Sequence, residues 1–384
     1  MSENRSVTYA IGGTLGGPGI GTIAGKAVES IDRNGLLQQA YGWAATDLDV
    51  PPERVSTVPL GSYIDRVLHY YRNDMPFDLL ASHWMAESEL FHGWNNMCLR
   101  SLRAAREAGS VTVVERASAH PVVQREIVET EFEKHGVDEQ FIDDRTFRRA
   151  MAEIEEADAI TVPSDFVYET FLDRGFSPEK LVKIPYGVDI DRFEPKIPSE
   201  TSDLTAVFVG QVSIRKGVQY LLPAWRQADV EGTLKLAGDV RGVASDIVAP
   251  FRDVPDIEFL GFVDDVERVF READVFVFPS IEDGFGLVIL EAMATATPVI
   301  TTSRVGASEL VIDGESGFVV EPADVDSVAD HLETLAADPE RRRAMGELAR
   351  ETAETYTWTR YGDALAAAYR SLLSGDPAGE RTAE

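Results

Sequence analysis

An apolar run, Asp274-Val-Phe-Val-Phe-Pro279, passes directly into Ser280-Ile-Glu-Asp-Gly-Phe-Gly-Leu-Val-Ile-Leu-Glu-Ala-Met-Ala294. The first segment reads as a buried strand, the second as a glycine-broken turn that opens a helix near Leu287. Gly284 and Gly286 let a ligand approach the backbone closely. The new helix points its unsatisfied N–H groups and positive dipole end at that place, which favours an anion such as a diphosphate. Asp283 and Glu291, seven residues apart, can accept hydrogen bonds from hydroxyl groups. A diphosphate with hydroxyls describes a nucleotide sugar. The plainer alternative is a strand–loop–helix unit with a solvated acidic turn.

A second unit matches it. Leu204-Thr-Ala-Val-Phe-Val209 reads as a strand, and Gly210-Gln-Val-Ser-Ile-Arg-Lys-Gly217 follows at once. Arg215 can grip phosphate oxygens bidentately and Lys216 acts as a point charge. Their adjacency stands out in a chain with seven lysines. Further strands are expected at 7–11, 55–58, 79–81, 111–114 and 159–162, then near 205–209, 233–237, 257–260, 274–278 and 298–302. Helices are expected at 85–108, 146–157 and 359–373. Alternating β and α elements imply parallel sheets with helices on both faces. Two such blocks, joined near Asp189 to Asp203, imply two Rossmann-like domains with ligands at the carboxyl ends of the strands.

The 384 residues suffice for two domains of ordinary size. The net charge of −30, with seven lysines against 29 arginines, keeps a protein solvated at the cost of self-repulsion. Concentrated salt would screen that repulsion, and the composition resembles the style of salt-in halophilic archaea. An acidic face for a basic partner is the alternative. Nucleic-acid binding, which needs a basic stripe, is not expected. A single cysteine, Cys98, excludes an intrachain disulfide and makes a structural zinc cluster implausible; it is expected as a packed thiol in an apolar helical stretch. No secretory signal and no run of membrane-spanning length is visible. The expected location is cytoplasmic, or peripheral on the inner face of a membrane.

Several segments match one family in order. Ile184-Pro-Tyr-Gly-Val-Asp189 is similar to its hinge motif IPNGVD, and Gly210 to Gly217 to its phosphate loop GR-x-x-x-x-KG. Ile257-Glu-Phe-Leu-Gly-Phe-Val263 is similar to the V-x-F-x-G strand near the base pocket, and Asp283 to Glu291 to the E-x7-E motif. Gly306-Ala-Ser-Glu309 and Asp313-Gly-Glu-Ser-Gly317 are similar to the two segments that follow. The chain thus resembles the family 4 retaining glycosyltransferases, which have the GT-B fold: α/β, with two Rossmann-like domains facing across a cleft. The chain departs from the family at Asp283, preceded by Glu282, where the first Glu is usual, and at Tyr186, where Asn is usual.

The resemblance implies an acceptor-side domain over 1–190 and a nucleotide-sugar domain over 203–357. A helix over 358–373 crosses back, and a disordered tail over 374–384 follows. It also implies transfer of a sugar, with retention, from a nucleotide-diphosphate donor to a hydroxyl of a glycan or lipid-linked acceptor. Arg215 and Lys216 stabilise the departing diphosphate. Glu291 holds the ribose, and Asp283 or Glu282, with Gly284, Phe285, Gly286 and Leu287, holds the sugar. Gly210 and Val263 complete the donor pocket. The leaving phosphate takes the acceptor proton, and the two cations make a metal or other cofactor unnecessary. Asp189-Ile-Asp191 and Asp324-Val-Asp326 read as surface charge. A nucleotide-sugar epimerase and a non-catalytic nucleotide-sugar-binding subunit are the alternatives.

In the first half, residues 12–21 hold six glycines after the first strand. Gly16 and Gly17 match the family's Gly-Gly loop, expected to cover donor or acceptor. Gly19-Ile-Gly21-Thr-Ile-Ala24 also fits the dinucleotide pattern G-x-G-x-x-A, but eight residues beyond the strand. His120, in a loop after the strand at 111–114, is expected at the cleft near the donor sugar, with Glu115 and Arg116 as alternatives. His83 and Trp84, read as leaving another strand end, are acceptor-side candidates. Arg100, Arg103 and Arg106 form a strip on one helix that suits anionic lipid or a phosphate, with Phe91, Trp94 and Met97 for apolar contact. Plain solvated charge is the alternative.

Overall fold

The computed structural model describes residues 7–58, 75–84, 87–195 and 203–375, with the backbone alone for Met75 and Trp84. Strands β1 (Val7–Ala10), β2 (Leu37–Gly42), β3 (Val55–Thr57), β4 (Leu90–Trp94), β5 (Val111–Glu115), β6 (Ala159–Val162) and β7 (Leu181–Lys183) form one sheet, in the order β3-β2-β1-β4-β5-β6-β7. Strands β8 (Leu204–Val209), β9 (Gly232–Ala237), β10 (Ile257–Gly261), β11 (Val275–Phe278), β12 (Val299–Thr302) and β13 (Gly317–Val320) form a second, in the order β10-β9-β8-β11-β12-β13. Every pairing in both sheets is parallel. The strand order reverses once in each sheet, between β1 and β4 and between β8 and β11. Such a reversal leaves a crevice at the carboxyl ends of the two strands beside it.

Helices α1 (Ile20–Arg33), α2 (Met75–Trp84), α3 (Leu99–Glu107), α4 (Pro121–Lys134), α5 (Asp144–Glu156) and α6 (Asp165–Leu172) belong to the first block. Helices α7 (Val218–Gln227), α8 (Leu287–Ala294), α9 (Val325–Ala337) and α10 (Pro339–Glu354) belong to the second. The central strands β11 and β12 are buried along their whole length, as strands covered on both faces must be. Phe208, Phe278 and Phe276 stack in that order through the core, at 5.7 Å between successive rings.

The last helix, α11 (Trp358–Ser374), returns to the first domain and packs on α1. Gly362 makes this possible: a Cβ there would lie 2.1 Å from Ser30 Oγ. The crossing chain runs over the hinge segment, where a Cβ on Gly187 would meet the Thr357–Trp358 peptide at 2.4 Å. Arg350 of α10 pins the hinge from the second domain by donating to the carbonyls of Phe193 (2.6 Å) and Ala294.

Two readings of the first domain are corrected. Leu79–Ala81 is not a strand but the middle of α2, and the strand beside β1 is β4, inside the segment expected to be helical. Both segments are short apolar runs without decisive periodicity, the case in which strand and helix look alike. Helix α3 therefore begins only at Leu99, and Cys98 is the buried residue that precedes it. Strands β2, β7 and β13 add to the expected set. Residues 196–202 of the linker and 376–384 of the expected tail lie outside the described residues.

Candidate functional site

The loops after β8 and β11 meet at the reversal of the second sheet. Gly217 has φ 76°, and a Cβ on it would lie 1.8 Å from the Pro279 carbonyl oxygen. Only glycine lets the cationic loop lie against the acidic one. Cross-bonds fix the contact: Ile281 N and Ser280 Oγ both donate to the Arg215 carbonyl, at 3.0 and 2.9 Å. Thr302 Oγ1 holds the Ser280 carbonyl at 2.6 Å.

The charges alternate across this contact. Arg215 Nη1 donates to the Glu282 carboxylate and carbonyl, each at 3.1 Å. Lys216 Nζ pairs with Asp283 Oδ2. Burial and the neighbouring guanidinium lower the Lys216 pKa, against the pull of Asp283. Burial works to raise the Asp283 carboxyl, but Lys216 and Arg215 outweigh it and hold that pKa below its usual value. Asp283 therefore stays charged at neutral pH. Helix α8 starts beside them at Gly286, in the left-handed conformation at φ 80°. Glu291 lies half-buried further along α8. Desolvation raises its pKa to about 7, with Arg192 pulling it down and Glu267 adding to the rise.

The first domain clasps the acidic loop from the opposite side. Arg116, buried at the end of β5, donates to Asn95 Oδ1 (2.8 Å), Gln124 Oε1 (2.8 Å) and the Ala119 carbonyl (2.7 Å). The loop so held presents Ala119 N to Glu282 Oε1 at 3.1 Å, and Gln124 Nε2 reaches Glu282 Oε2 at 3.0 Å. Ser164 Oγ donates to the Gly284 carbonyl at 2.7 Å. Gly284 is seated so tightly that a Cβ would lie 2.2 Å from the Ala117 oxygen. A cation pair, a helix start and two carboxylates, Glu282 and Asp283, thus converge beneath a first-domain loop, with Glu291 further along the helix, near Arg192 and Glu267.

Residues 203–338 match the family model described as Glycosyl transferases group 1. Sucrose-phosphate synthase from Thermosynechococcus elongatus superposes with a TM-score of 0.73 at 21% identity, covering 97% of this chain and all of that one. Anabaena Alr3699/HepE, solved with UDP and glucose, superposes with a TM-score of 0.70 at 18% identity, covering 96% of this chain and all of that one. The fold is GT-B. In sequence, the D-inositol 3-phosphate glycosyltransferase of Paenarthrobacter aurescens is 32% identical over 215 residues, 50% of this chain and 52% of that protein. The same-named protein of Corynebacterium jeikeium is 26% identical over 352 residues, 84% of this chain and 79% of that protein. The chain spans about half the length of the first few curated relatives it matches.

Within this GT-B frame, Arg215, Lys216, Glu282, Asp283, Gly284, Phe285, Gly286 and Leu287 come together, with Gly210 at the head of the cationic loop and Glu291 along α8. Val263 follows the edge strand β10 and is half-buried. Gly16 lies exposed in the loop before α1 at φ 78°, and Gly17 is buried beside it. The G-x-G-x-x-A segment is the start of α1 itself. Its Gly21 faces the Thr14 carbonyl at a 2.4 Å Cβ distance, so it serves helix-on-loop packing.

Other expectations do not hold. His120 is not presented to the cleft. It is 2% exposed, caps α4 through Nδ1 accepting from Val122 N (3.3 Å), and packs edge-on against Phe171 and Phe176. Burial first, and then Arg116 and Arg174, lower its pKa to about 4. Position after a strand located the loop correctly, but the aromatic pocket turned the ring inward. His83 and Trp84 leave a helix rather than a strand; His83 Nδ1 contacts the Leu79 carbonyl of the same helix at 2.8 Å. Phe91 and Trp94 are core residues at 0% and 3% exposure and offer no lipid contact. Arg103 is held by Glu156 and Arg106 by the Glu156 carbonyl.

Tyr186, at the Asn position of the hinge motif, donates to Glu115 Oε1 at 2.7 Å, so both are engaged in the hinge. Gln124 and Ser164 were not foreseen, because nothing local marks a residue whose partner is in the other domain; Asn95, also unforeseen, acts within the first domain by accepting from Arg116. One signal was legible: the Arg of GR-x-x-x-x-KG is Gln211 here, which is exposed, so the guanidinium beside the acidic loop is that of Arg215.

Proposed function

We propose that this chain transfers a sugar from a nucleoside-diphosphate donor to a hydroxyl of a glycan or lipid-linked acceptor, with retention at the anomeric carbon. The observation that carries this reading is the meeting of the Arg215–Lys216 loop and the Asp283–Glu291 loop at the reversal of the second sheet, facing the first-domain loop 116–120. The glycosyltransferase names of the relatives, and the UDP bound in one structural neighbour, support it.

In this reading Arg215 and Lys216 exchange their carboxylate partners for the diphosphate and stabilise the charge that develops as it departs. Two fixed cations take the place that a metal would fill. Asp283, released from Lys216, and the N–H groups at the start of α8 bind the sugar hydroxyls, and Glu291 binds the ribose. Glu282 has both carboxylate oxygens engaged by the first domain and Arg215, which fits a positioning role better than sugar binding. The leaving phosphate accepts the acceptor proton on the same face, so no separate base is needed. Among the described residues no helix is long and apolar enough to cross a membrane. A cytoplasmic protein, attached peripherally where its acceptor is lipid-linked, is the setting we propose.

Replacement of both Arg215 and Lys216 by Ala should abolish transfer, by about a thousandfold or more, with an unchanged circular dichroism spectrum. Turnover at the wild-type rate would exclude this pair as the diphosphate site.

A further inference from the structure

A groove of about 850 Å³ lies on the first domain among α2, α3 and α5. Five arginines line it: Arg100 and Arg103 from α3, and Arg145, Arg148 and Arg149 from α5. A spacing of three residues between Arg100 and Arg103, and of three and four from Arg145 to Arg148 and Arg149, puts each set on one helix face. In a chain of net charge −30 this convergence runs against the general sign of the protein.

The five are not equivalent. Arg103 is held bidentately by Glu156, at 2.8 and 2.6 Å. Arg149 lies 3.9 Å from the buried Glu153. Arg100, Arg145 and Arg148 are exposed, and their guanidinium groups form no ion pair among the described residues. Of the three carboxylates that line the groove, Glu107 is exposed at the end of α3, and Asp78 and Asp143 are occupied by backbone N–H groups and hydroxyls. Asp78 accepts from Arg100 N (2.8 Å), Ser101 N (2.9 Å) and Ser101 Oγ (2.8 Å). Asp143 caps α5 through Arg145 N and Thr146 N, both at 3.0 Å. Three guanidinium forks therefore face a cavity of ligand size, and the planar fork matches phosphate oxygens in geometry as well as charge.

We propose that this groove binds a phosphate group, free or on a lipid headgroup, at a site separate from the Arg215–Lys216 pair. It differs from the strip first read in the sequence: Arg106 does not line it, and α5 supplies the larger share. The inference does not depend on the transfer reaction.

The test is calorimetric titration of the full chain with inorganic pyrophosphate at fixed low ionic strength, in the Arg215→Ala/Lys216→Ala background that silences the other site. Pyrophosphate should bind this background. Adding Arg100→Ala/Arg145→Ala/Arg148→Ala should weaken it by about tenfold or more, with the melting curve unchanged because these side chains are exposed. If the triple change unfolds the protein, Arg145→Ala/Arg148→Ala is the variant to compare. A second arm uses phosphatidylcholine vesicles with and without phosphatidylglycerol. Binding only to the anionic vesicles, lost with the arginines, assigns the same site to a lipid phosphate. If neither pyrophosphate nor anionic vesicles distinguish the variants from their parent, the proposal is overturned.

Discussion

In the proposed reading, Glu291 is the titratable carboxyl that meets hydroxyl groups of the donor. Desolvation raises its pKa to about 7. Hydroxyls that donate to its carboxylate would lower that value, so binding should release a proton near pH 7 and strengthen as pH rises through about 7. Below that, affinity should fall by up to about tenfold per pH unit. A nucleotide sugar is the right probe, because its esterified diphosphate does not titrate in this range. Calorimetry in buffers of different ionisation enthalpy should show the released proton, and Glu291→Gln should remove it; a pH-independent affinity would remove Glu291 from the ribose role. At this scale the meeting of Arg215 and Lys216 with the acidic loop was legible, because these residues lie in contiguous motifs: Arg215 with Lys216, and Asp283 with its two glycines. His120 was not. Sequence gives its place after β5 but not the pocket of Phe171 and Phe176 that receives the ring.

The acidic loop after β11 is the element on which both domains act. Gly284 gives that statement a direct test. An alanine Cβ would lie 2.2 Å from the Ala117 carbonyl and 2.5 Å from Ser118 Cα, both backbone atoms of the first domain. Gly284→Ala should therefore push the 116–120 loop away, with a loss of about 1–3 kcal/mol of stability and a fall in turnover larger than the fall in nucleotide affinity. Wild-type melting and turnover would show that the clasp is not needed. Elements were readable where a long buried run meets a glycine turn, as at β8 and β11. They were misread at 79–94, where two apolar runs of similar length turned out as α2 and β4. β2 was missed because Gln38 and Gln39 interrupt its apolar pattern, and β7, with three residues, was too short to show periodicity.

The whole molecule joins a −30 net charge to two domains held by a few buried polar ties. Tyr186 to Glu115 and Arg350 to Phe193 fix the hinge, and Glu282 to Ala119 and Gln124 closes the cleft side. Self-repulsion among 66 acidic and 36 basic side chains opposes this closure. Raising KCl from about 0.1 to 1 M shortens the screening length from about 10 to 3 Å, so the thermal midpoint should rise with salt; a flat or falling midpoint would show that repulsion does not limit stability. The two-domain GT-B plan was readable from the restart of the β–α alternation near residue 203. The contacts between the domains were not, since each partner of Glu282 in the first domain is more than 150 residues away in sequence. The most direct test of the central claim is thermal unfolding in concentrated KCl with UDP, GDP and ADP and their sugar conjugates, for the wild type and for Arg215→Ala/Lys216→Ala. The account predicts a selective rise with one base in the wild type and none in the variant. An equal rise in both proteins, or no rise with any of them in folded wild type, would contradict it.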